Sequence, residues 1–375
     1  MPLFKPYSLG TMKLPNRVVM SAMTRSRSGP AGVPTELTAR YFAQRATAGL
    51  IVTGSIAVSP QGRGYLDTEG LYTAEQVEGW RSVTAAVHDH GGRIAAQLIH
   101  CGRVSHASLQ PAGNQPPGVS DLAAHAEVFA VTDDGTPGMV ACAAPRPMST
   151  AEVEAAVGDF ATAAANARRA GFDAVEVQGG NGFLVEQFLH PGINTRTDHY
   201  GDREQGRAAF LYEVVAAIAD AAPGLPVGVK LTPGGVINDI PATADWNERY
   251  LRILAGLDER DVAYVTLADQ SAVGAAGGFD HEFAQQVRRA FSHTLILGGG
   301  YAGQTAGAAI GEDHADLIAF GRPYLANPDL VGRLANGHPL ANADVAKLYG
   351  GGAEGYVDYP TFTPRQRDRT GNLER

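Results

Sequence analysis

A chain of 375 residues, 44% of them hydrophobic, is long enough to bury one large α/β barrel core or two smaller domains. Its formal charge of −9 and pI near 5.7 leave no basic stripe for nucleic acid, and no run approaches the ~18 apolar residues that span a bilayer. The start, MPLFKPYSLG, has no long apolar segment, so a cytosolic protein with a small-molecule partner is expected.

Eight short apolar runs alternate with helix-like segments, at 18–24, 50–58, 93–100, 174–178, 227–232, 262–268, 294–297 and 317–320. Continuous Val, Ile and Leu without strict alternation suits parallel strands buried on both faces, so the spacing predicts a single (β/α)8 barrel over 1–360. Between the runs, Thr73 with Gln76 and Ser149 with Glu152 fit capping boxes, and Gly49 and Gly171 read as helix ends. Val77, Trp80, Val83 and Val87, then Val153, Val157, Phe160 and Ala164, and later Trp246, Tyr250, Ile253 and Leu257 recur at helical spacing and read as core stripes. The stretch 102–147 is too long for a passive connector. It reads as an excursion after strand three that lids a pocket, with a hairpin whose arms are 127–132 and 139–143. Cys101 and Cys142 make neither a metal spacing nor a disulfide framework, and Cys101 reads as a small buried hydrophobe. The polar tail, 361–375, loses apolar periodicity and is expected to be mobile or docked on a neighbour.

The polar residues cluster at strand ends, where barrel enzymes place their sites. Gly298-Gly299-Gly300 follows strand seven and opens a helix, which brings bare amides to an anion, and Gly321-Arg322 after strand eight adds a forked cation. Strand four runs from Ala174, Val175 and Val177 into Gln178, Asn181 and Phe183, on a turn whose Gly179, Gly180 and Gly182 let backbone approach a flat ligand. From here the chain resembles the Old Yellow Enzyme family of FMN-dependent ene-reductases. The landmarks are Gln187-Phe188-Leu189, Asn194, Arg196-Thr197-Asp198, Tyr200-Gly201 and Arg207, then FGRPYLANPDL and YGGGAEGYVDYP. The resemblance covers nearly the whole chain.

That resemblance implies noncovalent FMN, with Gly299, Gly300, Gly321 and Arg322 on its phosphate. Ala22, Met23 and Thr24 after strand one, Ser55 on strand two, Gln97 on strand three and Lys230 on strand five would meet the flavin ring. Thr24 would bond the carbonyl next to N5, and Lys230, in place of the family's usual Arg, would keep the charge near N1 and drop the fork. NAD(P)H is the implied reductant. Gln178 and Asn181 take the places of the pair that holds a substrate oxygen, and Phe183 that of the family's Tyr proton donor. Tyr65 and Tyr356 would line the pocket, either of them a substitute donor. Ile99, where relatives carry a bulky Trp, would widen it for a polycyclic or branched substrate.

The expected chemistry is hydride transfer from NAD(P)H through FMN to an activated, enone-like alkene. Because Gln178 lacks the family's imidazole and Phe183 its hydroxyl, two other outcomes stay open. One is redox-neutral isomerisation or oxidative desaturation on the same flavin. The other is a non-catalytic FMN- or ligand-binding protein, which would tie Gln178 and Asn181 to each other.

Overall fold

The computed structural model describes residues 1–201, 203–271 and 281–363. Eight parallel strands close into a barrel in chain order. They are β1 (Val18–Met20), β2 (Leu50–Ala57), β3 (Ile94–Ile99), β4 (Ala174–Gln178), β5 (Val227–Leu231), β6 (Tyr264–Ala268), β7 (Thr294–Gly298) and β8 (Leu317–Phe320). Around them run α1 (Glu36–Ala43), α2 (Ala74–Asp89), α3 (Thr150–Arg169), α4 (Leu184–Leu189), α5 (Glu204–Ala221), α6 (Trp246–Asp258), α7 (His281–Ala290), α8 (Gly303–Gly311) and α9 (Arg322–Ala326). Every predicted strand is present. The run at 18–24 is strand only to Met20, and residues 21–24 are irregular chain free to meet a ligand.

Both capping boxes form, with Gln76 and Glu152 returning the hydrogen bonds of Thr73 and Ser149. Gly171 follows α3 with a positive φ of 87°, as a helix end needs. Gly49 does not end a helix. Its N–H donates to Val18 O at 2.8 Å just before β2, and a Cβ there would sit 2.1 Å from Asn16 O, so close backbone approach is what requires glycine.

The barrel interior changes character along its axis. At the N-terminal end Val19, Leu50, Ala95, Ala174, Tyr264, Ile296 and Leu317 pack with Leu9, Met12 and Leu14 from an N-terminal hairpin that plugs the barrel. One layer up, Gln97, Glu176, Lys230 and Thr266 form a buried polar belt. A sheet puts residues two apart on one face, so Glu176 and Gln178 both follow from the inward parity of Ala174. Outside, the helices bury a second core that includes Trp80, Phe160, Phe188 and Phe210, the last two stacked at 4.4 Å.

The excursion carries the hairpin as strands Glu127–Val131 and Pro137–Ala141, so the second arm begins earlier than expected. Thr132 and Asp134 close the turn through Thr136, leaving Pro137 to pair with Val131. The polar tail lies outside the described residues from 364 on; Phe362, just before it, stacks on His338 at 3.9 Å. Among the described residues no helix is long and apolar enough to cross a membrane.

Candidate active site

Parallel closure brings the C-terminal ends of all eight strands to one rim, and the predicted cofactor residues lie on it. Ala22, Met23 and Thr24 are half-buried on the chain leaving β1. A bulge in β2 shifts its register between Val52 and Ser55, which sets Ser55 opposite Gln97. Ser55 Oγ donates to Gln97 Oε1 at 3.2 Å, while Gln97 Nε2 donates to Glu176 Oε1 at 2.7 Å. Thr266 Oγ1 donates to the other Glu176 oxygen at 2.8 Å. Burial pushes Glu176 up and Lys230 down in pKa, and each charge opposes that drift in the other. Glu176 thus fixes the glutamine, and its charge offsets part of the cost of burying Lys230.

Across the rim, Gly299 has φ 127° and Gly300 φ 63°, and a Cβ on Gly299 would meet Asp269 at 2.6 Å. Gly321 caps α9, whose first residue is the exposed Arg322, and its missing Cβ looks toward Met23 Sδ and Ser21 Cβ at 3.8 and 3.9 Å. Bare amides and a guanidinium on one side suit a phosphate. An oriented carboxamide, a hydroxyl and an ammonium on the other suit the polar edge of a heterocycle. This donor set fits FMN.

The loop after β4 is packed too tightly for side chains. A Cβ on Gly180 would lie 2.6 Å from Thr232 Oγ1, and one on Gly182 would lie 2.7 Å from Asn238 Cβ. Asn181 adopts φ 58° between them. Its N–H donates to Thr232 Oγ1 at 2.9 Å, its O accepts from Asn238 Nδ2 at 2.7 Å, and its Oδ1 accepts from Gln270 Nε2. Gln178 Oε1 accepts from Gly180 N–H at 3.3 Å. The two carboxamides are therefore bound to separate protein donors.

Phe183 caps α4 and joins Ile99, Cys101, Val128 and Ala130 in an apolar cluster against which Tyr65 packs, its ring 6.3 Å from that of Phe183 and edge-on. The hairpin roofs this cluster: Val128 and Ala130 are its inward residues, and Leu66 N–H donates to Phe129 O at 2.7 Å. Burial raises the pKa of Tyr65, with Cys101, Tyr349 and Cys142 adding to the effect and a hydrogen bond with Asn238 opposing it. Burial likewise raises the pKa of Cys101, leaving an inert thiol.

Tyr356 does not line this pocket. Its ring is 2% exposed, stacks on Tyr41 at 4.2 Å and lies under the guanidinium groups of Arg25 and Arg27. The tyrosine that faces the hairpin is Tyr349, half exposed and 6.4 Å from Phe129. Arg25 and Arg27 hold its loop through the carbonyls of Leu348, Gly355 and Lys347. Reasoning from sequence also missed Glu176 and Gln270. The first was signalled by a carboxylate at inward parity in an apolar strand, whereas nothing local marks the second.

The family model for the NADH:flavin oxidoreductase / NADH oxidase family matches residues 2–341. Morphinone reductase superposes with a TM-score of 0.93 at 42% identity, covering 96% of each chain. An old yellow enzyme homologue from Zymomonas mobilis gives 0.90 at 32%, covering 96% of this chain and all of its own. Arabidopsis thaliana 12-oxophytodienoate reductase 2 is 34% identical over 96% of both chains, and Emericella nidulans flavin oxidoreductase hxnT is 34% identical over 96% of this chain and 97% of its own. One morphinone reductase structure is a complex with tetrahydroNAD, at 41% identity, a TM-score of 0.92 and coverage of 97% and 98%.

Proposed function

Because this chain belongs to the NADH:flavin oxidoreductase / NADH oxidase family, that of Old Yellow Enzyme, and is an FMN-dependent oxidoreductase with a nicotinamide reductant, we propose that it reduces a carbonyl-conjugated alkene. Bound FMN supplies the two-electron relay between nicotinamide and alkene. The observation that carries the reading is the commitment of the Gln178 and Asn181 oxygens to Gly180 and Gln270. With the oxygens engaged, the amide NH₂ groups are left to hold a substrate carbonyl and the enolate charge that develops on it. Because the two amides are tied to other donors and not to each other, they are arranged for a ligand.

Protonation at the α-carbon needs another group, since a phenyl ring has no proton to give. Tyr65 stands edge-on to Phe183, and burial keeps its hydroxyl protonated. Tyr65 is accordingly the donor in this reading. Ile99, beside Phe183 in the apolar cluster, leaves room for a bulky substrate.

Anaerobic bleaching of the bound flavin by NADH or NADPH, followed by a panel of small and bulky enones, tests this directly. The enones should restore the yellow colour, and Tyr65→Phe should slow product formation by about 10²-fold or more, the usual worth of a placed general acid. If oxygen reoxidises the flavin and no enone does, alkene reduction is the wrong reading. Full activity of Tyr65→Phe, with double-bond migration as the product, would favour redox-neutral isomerisation, to which the lost hydroxyl at Phe183 also points.

A further inference from the structure

We propose that Glu186 is a positioning residue that sets where Asn181 presents its amide, and that its protonation releases that hold; this rests on Gln178 and Asn181 being the carbonyl-binding pair. Glu186 lies in the short helix α4, 2% exposed, directly behind the loop. Its carboxylate accepts three hydrogen bonds from three segments: Gly182 N–H at 2.6 Å, Tyr250 OH of α6 at 2.6 Å and Thr232 Oγ1 after β5 at 3.1 Å. Thr232 Oγ1 spends its proton on Glu186 and so keeps a lone pair for Asn181 N–H, at 2.9 Å. The carboxylate thus grips one end of Asn181 through Thr232 and the other through Gly182.

All three partners donate, and the ionised acid accepts them with no proton of its own to place. A proton on Glu186 puts a fourth donor among three and removes the charge that strengthens the bonds to Gly182 and Thr232, so the hold on Asn181 slackens. The other charged or titratable neighbours are already engaged. Arg249 of α6 bonds Asp245 and Thr243, and His190 accepts from Gly192 N–H and donates to Pro241 O. Tyr250 is itself a donor, its hydroxyl held protonated by burial. Behind the carboxylate lies a cavity of about 200 Å³ lined by Glu186, His190, Thr243, Trp246, Arg249 and Tyr250, which gives protons a route from solvent. Burial pushes the carboxyl up to about 7 against the pull of its three donors and Arg249, so the release falls in an accessible pH range. The sign is fixed: affinity for the carbonyl weakens as pH falls through 7.

Two measurements on FMN-loaded protein test this between pH 5.5 and 8.5. The first follows the Gly182 amide by NMR with ¹³C′-Asn and ¹⁵N-Gly labelling. Asn-Gly occurs only at Asn181-Gly182 and Asn336-Gly337, so Asn336→Gln leaves a single cross-peak. That peak should titrate near pH 7, and a peak that stays still overturns the proposal. The second reads the Kd of 2-cyclohexenone from the perturbed spectrum of oxidised flavin. It should weaken about tenfold at pH 5.5 relative to 8.5, the worth of one charge-assisted hydrogen bond. In Glu186→Gln the Kd should be weak and flat with pH. A wild-type Kd that ignores pH while the amide titrates overturns the link to Asn181. If the amide titrates and the enone binds at no pH, the carbonyl-binding assignment is what fails, and with it that link, while the grip on Gly182 stands.

Discussion

Phe183 places an apolar ring beside Tyr65 at the mouth of a loop otherwise built to hold a polar group, and it is 7% exposed. A hydroxyl at its ring edge adds a second general acid without enlarging the loop. In a Tyr65→Phe background, Phe183→Tyr should therefore restore reduction of simple enones about tenfold or more, toward the ~10² to 10⁴ that general acids contribute. Rapid-mixing absorbance would read the effect in flavin reoxidation by the enone. Unchanged turnover and product identity would show that a proton already arrives efficiently from elsewhere. Gln178, Asn181 and Phe183 were legible because they lie at the end of an apolar strand and on the glycine-rich turn that follows it. The choice between Tyr349 and Tyr356 was not. Both lie on one irregular loop, and what separates them is the grip of Arg25 and Arg27, more than 300 positions earlier in the chain.

Among the elements, β5 shows how a strand that reads as merely apolar carries a steric requirement. Gly228 lies opposite Tyr264 in register, and a Cβ on it would fall 2.1 Å from the Tyr264 ring, which fills the barrel floor. Gly228→Ala should cost at least about 1 to 3 kcal/mol, the usual range for overpacking, seen as a lower unfolding midpoint. Pairing it with Tyr264→Leu should recover most of the loss. No recovery would mean that the strand backbone, and not the ring, rejects the side chain. Strand identities and the two capping boxes could be read from local pattern because propensity and burial agree there. The glycine at 228, the early start of the second hairpin arm and the role of Gly49 could not, since each is set by a partner distant in sequence or by the geometry of one turn.

For the whole molecule, buried titratable groups of opposite sign shape how stability depends on pH. Burial raises Glu69 and Glu186 to about 7, and it lowers His100 and His190 to about 4. A raised carboxyl stabilises the fold below its ordinary value of 4.5, and that contribution is lost as pH rises through 7. A lowered imidazole stabilises it above its ordinary 6.5, and that contribution is lost as pH falls through 4. Between 4.5 and 6.5 the two pairs oppose each other, so the native profile should be shallow there. Removing one carboxyl exposes the balance. Glu69, 7% exposed and without a cationic partner among the causes that set its pKa, is the one to remove, because Glu186 also holds the loop. Glu69→Gln should leave stability nearly unchanged at pH 4.5 and raise it by about 3 kcal/mol at pH 8, a displacement of two to three pKa units being worth roughly that much. Denaturant unfolding of the FMN-loaded protein at both pH values measures it. An equal gain at the two pH values would mean that Glu69 does not titrate on folding, and that the amide acts by packing alone.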